Sequence, residues 1–195
     1  TARVSHLISE HGVPPDRILA VTFTNKAAGE MRERVEKMLG PQSGDLWVGT
    51  FHSICVRILR RGISHLCYSR GFVIYDQSDG LSAMKDALRR KGLDPKVEDP
   101  KRILWRIDQW KNAGVLPAQA AEDACDIDDE LSARFYGLYQ RMLLDANALD
   151  FGDLLLQTVE LFKRFPRVLE FYQKRWQYVL VDEFQDTNAV QFNLV

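Results

Sequence analysis

Asp182 and Glu183 close a short apolar run, Tyr178-Val179-Leu180-Val181, and are followed by Phe184-Gln185-Asp186-Thr187-Asn188. Apolar residues that end abruptly in two adjacent acids read as a buried parallel strand delivering carboxylates to the carboxyl edge of a sheet. Nucleotide hydrolysis needs two tasks done at such an edge. One carboxylate holds Mg²⁺, and its neighbour orients or deprotonates the attacking water. The same residues also describe a strand whose acids merely precede a helix, with Asp186 or Thr187 as the cap.

Two further segments share a layout of their own. Thr22-Phe23-Thr24-Asn25 and Thr50-Phe51-His52-Ser53 each place an aromatic ring and several small polar groups between an apolar run and a helical pattern. Helix amino termini offer free N–H groups and a partial positive charge, which suits phosphates. Hydroxyl, amide and imidazole groups bond phosphate oxygens without reading bases, and a phenylalanine ring can stack on an unpaired base. Lys26 adds charge just inside its helix. Thr24, Asn25 or Ser53 can equally be plain helix caps, and the phenylalanines core residues, Phe51 before Phe23. The doubled arrangement carries the case. Arg57, Arg60 and Arg61 follow at helical spacing and fit either a backbone track or a solvated basic face.

The elements that must position these groups are legible from periodicity. Residues 4–10 read as the end of a helix, broken by Gly12, Pro14 and Pro15. Ile18-Leu19-Ala20-Val21 reads as a strand, followed by a helix with Met31, Val35, Met38 and Leu39 inward, stopped at Gly40-Pro41. Leu46 to Gly49 is a second strand, followed by a helix marked by Ile54, Ile58 and Leu59. Phe72 to Tyr75 is a third strand. No strand signal then appears until residue 178. The intervening helices run over Asp79 to Lys91, from Pro100 behind an Asp99 cap to near Gly114, along a stripe of Leu131, Phe135, Leu138 and Met142, and from an Asp150 cap with Leu154, Leu155 and Phe162 inward. Arg167 to Trp176 makes a last helix. The pattern is an α/β framework interrupted by a helical insert.

The chain has 195 residues, 46% hydrophobic and 27% charged, with a net charge of -1. That is ordinary for a globular protein and gives no global nucleic-acid signal. The charge is unevenly spread: residues 1–75 hold 10 Lys+Arg against 6 Asp+Glu, and residues 76–165 hold 13 against 17. A polyanion should prefer the first part. The acidic run Glu122 to Glu130 lacks the glycine and spacing of a calcium loop and reads as a solvated loop. Cys55, Cys67 and Cys125 share no metal spacing, and Cys55 falls on an amphipathic pattern, where a buried reduced thiol is expected. No apolar stretch approaches the length of a membrane span.

Taken together, these segments resemble one family. Ala20 to Ala28 with Glu30-Met31 is similar to motif Ia of superfamily 1A DNA helicases of the UvrD/PcrA/Rep type, and Gly49 to Cys55 to the next DNA-contacting motif. Val181 to Asn188 is similar to motif II, the Walker B segment. Leu149-Asp150-Phe151-Gly152-Asp153-Leu154-Leu155 resembles a further family segment in which Gly152 stands where an acid is more usual, and Lys111-Asn112 also fits. Phe51 favours this branch over RecB/AddA nuclease-helicases. The resemblance implies a RecA-like P-loop NTPase sheet with an inserted all-helical subdomain: 1A over 1–75 and 166–195, 1B over 76–165. It implies that Asp182 binds the Mg²⁺ of MgATP, that Glu183 activates water, and that Gln185 lies near the γ-phosphate. It implies that Phe23 belongs to a base-stacking track and that Thr22, Asn25, Thr50, His52 and Ser53 hold single-stranded DNA. It further implies a 3′-to-5′ helicase acting in DNA repair or replication at single-strand/duplex junctions, in the bacterial cytoplasm on nucleoid DNA.

No Gly-x-x-x-x-Gly-Lys-Ser/Thr segment occurs in the chain. In the family that loop would end a few residues before Thr1, and motif III and the second RecA-like domain would follow Val195. The expectation is an incomplete sheet with exposed apolar surface, and a piece that needs the remainder of the helicase chain to turn over ATP. Two other readings remain open: a non-catalytic single-strand or protein-binding module, and part of a helicase-nuclease.

Overall fold

The computed structural model describes residues 1–195, the side chain of Gln42 excepted. Its central strand, β1 (Ile18–Thr22), is buried along its whole length. It lies between β2 (Trp47–Thr50) and β5 (Tyr178–Val181) in a parallel sheet ordered β2-β1-β5. β1 is apolar from Ile18 to Val21 because both of its faces are covered. Ile18 and Ala20 face one layer, formed by α1 (Ala2–Ser9) and α2 (Asn25–Leu39) with Val4, Leu7, Ala28 and Val35. Leu19 and Val21 face the other, where α3 (Phe51–Gly62) packs Phe51, Ile54, Ile58 and Leu59. Gly40, at φ 57, terminates α2 in a conformation other residues rarely adopt. Met38, expected inward, is exposed; the buried stripe of α2 passes through Ala28 and Val35 instead.

Three expectations are corrected. The acidic strand was expected to be buried, yet Tyr178 and Val179 are each 39% exposed. The reason is topological: β5 pairs with β1 alone, and no strand among the described residues covers its other edge. The third strand, β3 (Val73–Ile74), does not join this sheet. It pairs in parallel with β4 (Ala148–Leu149), a strand falling where none was expected because it is only two residues long. The acidic run is not a loop throughout: Asp126 caps a helix, and Asp128 to Glu130 form its first turn, where acids suit the helix dipole.

Between β3 and β4 the chain folds into α4 (Gln77–Arg90), α5 (Pro100–Ala113), α6 (Pro117–Glu122) and α7 (Ile127–Asp145). They share a core of Met84, Leu88, Ile103, Ile107, Tyr136, Tyr139 and Leu143. The buried face of α7 is rotated from the expected stripe: Leu131, Leu138 and Met142 are only partly covered, because the two tyrosines take the inward positions. Arg102 and Arg106 of α5 pair with Asp128 and Asp129 of α7. The chain returns through α8 (Phe151–Arg164), packed on α3, and α9 (Pro166–Arg175), which leads into β5.

The turn from α7 into β4 is held by Asn147, at φ 48. Its side-chain Oδ1 accepts from the Ser69 backbone N–H at 2.8 Å, and its Nδ2 donates to the Ser69 hydroxyl at 2.6 Å. Asn tolerates the left-handed region better than other non-glycine residues. Asn147→Ala should therefore cost about 2 kcal/mol, the loss of two hydrogen bonds plus a disfavoured backbone, and Asn147→Gly should recover about 1 kcal/mol of it. Urea melts of the two variants check this; equal midpoints would show that the backbone conformation contributes nothing.

Candidate functional site

Parallel pairing puts the carboxyl ends of all three long strands on one edge. Thr22 lies opposite Thr50, and Val21 lies between Gly49 and Val181. The Asp182 N–H donates to the Val21 carbonyl at 2.9 Å, so the acid pair emerges directly beside the Thr22-Phe23 corner. Glu183 takes a left-handed backbone, φ 51, that turns the chain off the strand. The Gln185 amide donates to the Glu183 carboxylate. Asp182, Glu183 and Gln185 are all exposed, and neither acid pairs with a Lys or Arg among the described residues. Exposed carboxylate oxygens without a cationic partner suit a hard divalent cation that keeps most of its water. The next helix, α10 (Ala189–Phe192), is capped by Asn188 in a reciprocal bond pair with Gln191, not by Asp186 or Thr187.

At the first corner Thr24 caps α2, its hydroxyl accepting from the Ala27 N–H at 3.1 Å. Thr22 is fully buried, and its hydroxyl donates to the Thr24 carbonyl. Asn25 and Lys26 are exposed, and Phe23 is half-buried with its ring 5.5 Å from the buried Phe51. At the second corner the cap is Thr50, which accepts from the Ser53 N–H; Ser53 instead donates to the Thr50 carbonyl at 2.9 Å. Both corners thus use a threonine as the cap, Thr50 at the end of β2 and Thr24 two residues beyond β1. His52 is half-buried against Phe151, ring centroids 5.6 Å apart, and burial depresses its pKa, so it is neutral at pH 7. Phe151, 55% exposed beside His52, was not singled out from the sequence. Arg57 and Arg60 do not reach this edge: Arg57 lies 3.6 Å over the Trp47 ring, and Arg60 donates to the Arg70 carbonyl.

Behind His52 sits a buried charge cluster that sequence reading did not assign. Lys111 of α5 is 1% exposed and lies 2.7 Å from both Asp150 and Asp153, the reciprocal capping pair that opens α8. Gln140 donates to Asp153 at 3.0 Å. Gly152 makes room: a Cβ there would lie 2.8 Å from the Lys111 side chain. The signal was available, since Ile103, Ile107 and Lys111 recur every four residues on one buried face. Lys111 holds Asp150 below the usual carboxylate range, whereas burial and the Asp150 charge push Asp153 up to about 6. The adjacent Asn112 accepts from the Asn188 side chain at 3.0 Å and donates to Asp108. The motifs at 52, 111–112, 150–153 and 182–188 thereby form one continuous neighbourhood.

The whole chain, residues 1–195, matches the UvrD/REP helicase N-terminal domain. The chain belongs to the UvrD/REP helicase family. It is 49% identical over its full length to the ATP-dependent DNA helicase PcrA of Bacillus subtilis and 46% to that of Staphylococcus aureus. It spans 26% and 27% of those relatives, about a quarter of their length. The α/β architecture with a short parallel sheet fits a helicase N-terminal domain.

Lys111→Met leaves two carboxylates buried together and should cost about 3–5 kcal/mol at pH 7. Without the ammonium both carboxylates must fold with raised pKa. A raised carboxylate pKa means the folded state binds more protons than the unfolded one, so stability grows as pH falls. Denaturant melts of the variant should therefore improve from pH 7 to pH 5. A variant as stable as wild type at pH 7, or one whose stability falls on acidification, would contradict this account of the cluster.

Proposed function

We propose that this chain supplies the Walker B carboxylates and one wall of a single-strand track to an ATP-dependent DNA helicase. In this reading the sheet is of the RecA-like P-loop type. Residues 1–75 and 166–195 form subdomain 1A, and residues 76–165 form subdomain 1B inserted into it. The observation that supports it is the convergence of the Asp182-Glu183 pair and the two aromatic-polar corners on a single carboxyl edge. Relatives named as ATP-dependent DNA helicases support it independently.

Asp182 would hold the Mg²⁺ of MgATP, and Glu183, steadied by Gln185, would take the proton of the attacking water. Mg²⁺ bound there supplies neutralisation of the phosphate charge. Gln185 faces the γ-phosphate. Phe23 offers a ring face to an unpaired base, while Asn25, Lys26 and His52 meet the strand's phosphates. Thr22, Thr50 and Ser53, whose hydroxyls are engaged within the corners, shape the turns that place the strand. The parent moves 3′ to 5′ on DNA at single-strand/duplex junctions in the bacterial cytoplasm, in concert with the rest of its own chain.

Fluorescence anisotropy with a labelled oligothymidine tests the track. Phe23→Ala should weaken binding by about 1–3 kcal/mol, the worth of one stacked base, and Glu183→Gln should leave it unchanged. Affinity should also fall as salt rises, because phosphate contacts release counterions. Binding indifferent to Phe23→Ala would overturn the stacking assignment. The 195-residue chain, having no Gly-Lys-Ser/Thr cradle, is expected to show no DNA-stimulated ATP turnover; turnover abolished by Glu183→Gln would contradict that expectation.

A further inference from the structure

At the opposite end of α3 from the Phe51 corner, a cleft of about 610 Å³ opens where α3, α8 and α9 meet. Gly62 lies eleven residue steps along α3 from Phe51, about 16 Å along the axis, so the cleft is remote from the motif edge. Its floor is apolar: Gly62, Phe165, Val168 and Tyr172. Its rim is cationic, with Arg61, Arg164 and Arg167, and no carboxylate lines it. Among the described residues none of these guanidiniums makes an ion pair; the nearby acids Glu160 and Glu170 are turned to Lys163 and Lys174 instead. α9 begins at this cleft without a side-chain cap, which adds the partial positive charge of its first turn. Phe171, 52% exposed, stands at the mouth.

The excess charge continues beside the cleft. Arg57 and Arg175 lie 3.6 Å and 5.6 Å from the Trp47 ring centroid. Burial and repulsion from Arg61, Arg175 and Arg32 lower the Arg57 pKa. The Arg175 Nε and Trp176 Nε1 donors are buried without a partner. Arginines that repel one another, without acids to balance them, are relieved by an incoming anion.

We infer that this cleft docks a short acidic segment of a partner protein, with one bulky apolar side chain on the Phe165–Tyr172 floor and Asp or Glu side chains on Arg61, Arg164 and Arg167. An apolar pit ringed by guanidinium forks suits an anchor residue flanked by carboxylates. Arg61, Arg164 and Arg167 share the lining with Phe165, Val168 and Tyr172, which suits a segment that is acidic and apolar at once better than a uniformly anionic strand.

The test is anisotropy of a fluorescein-labelled synthetic peptide of Asp and Glu around a central Phe, titrated with the 195-residue chain. Saturable binding is expected. It should weaken about tenfold, 1.4 kcal/mol, in Arg61→Glu/Arg167→Glu, in Phe171→Ala, and when the peptide's Phe is replaced by Ser. Arg134→Glu, on an exposed position of α7, should leave it unchanged. The peptide swap changes no residue of the protein, so misfolding cannot mimic its effect. Absence of saturable binding, or equal binding by the double variant, overturns the proposal. So does oligothymidine binding that the double variant abolishes and the peptide fails to compete, which would make the cleft a nucleic-acid site.

Discussion

The arrangement depends on β1 being paired on both sides in parallel. Because β2 and β5 run in the same direction as β1, everything that follows their last residues is delivered to the same edge. Antiparallel pairing of either neighbour would send its polar residues to the far side. The register matters as much as the direction. A slip of one residue would exchange Leu19 and Val21 for Ile18 and Ala20 between two covered faces and displace Asp182 from the Val21 carbonyl. Burial on both faces of β1 specifies that register, and the corners inherit their relative positions from it.

A second constraint joins the helical segment to that edge. Lys111 is carried by α5 but balances the two carboxylates that open α8, so neither helix can shift without exposing an unpaired charge in the core. One residue on, Asn112 reaches Asn188, which caps the helix following the acidic pair. Through His52 and Phe151 the same neighbourhood touches the second corner. Apart from the His52–Phe151 ring pair, these contacts are directional polar ones between the last turn of α5 and the starts of α8 and α10, which is why they hold the pieces in register better than apolar packing alone.

Much of this was legible in the residue pattern. β1, β2 and the acidic strand announced themselves as apolar runs, and the Asp99, Asp150 and Gly40 signals marked helix ends where they occur. Other features were not. The exposure of β5 depends on which strands flank it, and no local pattern records a neighbour. β4 is too short to carry a period. The corner caps went to Thr50 and Asn188 where Ser53, Asp186 or Thr187 had been weighed, since each candidate has a suitable side chain and only the backbone turn decides between them. Lys111 was quoted for its place in a family segment without its role, although its four-residue spacing from Ile103 and Ile107 placed it on the buried face. The sequence alone did not suggest the arginine-rimmed cleft, because Arg61 on α3 is distant in the chain from Arg164 and Arg167.

The central claim is that the acid pair and both corners share one edge. The most direct measurement is paramagnetic broadening in ¹⁵N–¹H spectra of the chain titrated with Mn²⁺, a stand-in for Mg²⁺. Amides of Asp182 to Gln185 should broaden first, followed by those of Phe23 and Thr24 across β1, while α4 and α6 remain sharp; Asp182→Asn should suppress the effect. Broadening centred instead on the acidic run Glu122 to Glu130, and unaltered by Asp182→Asn, would contradict the account.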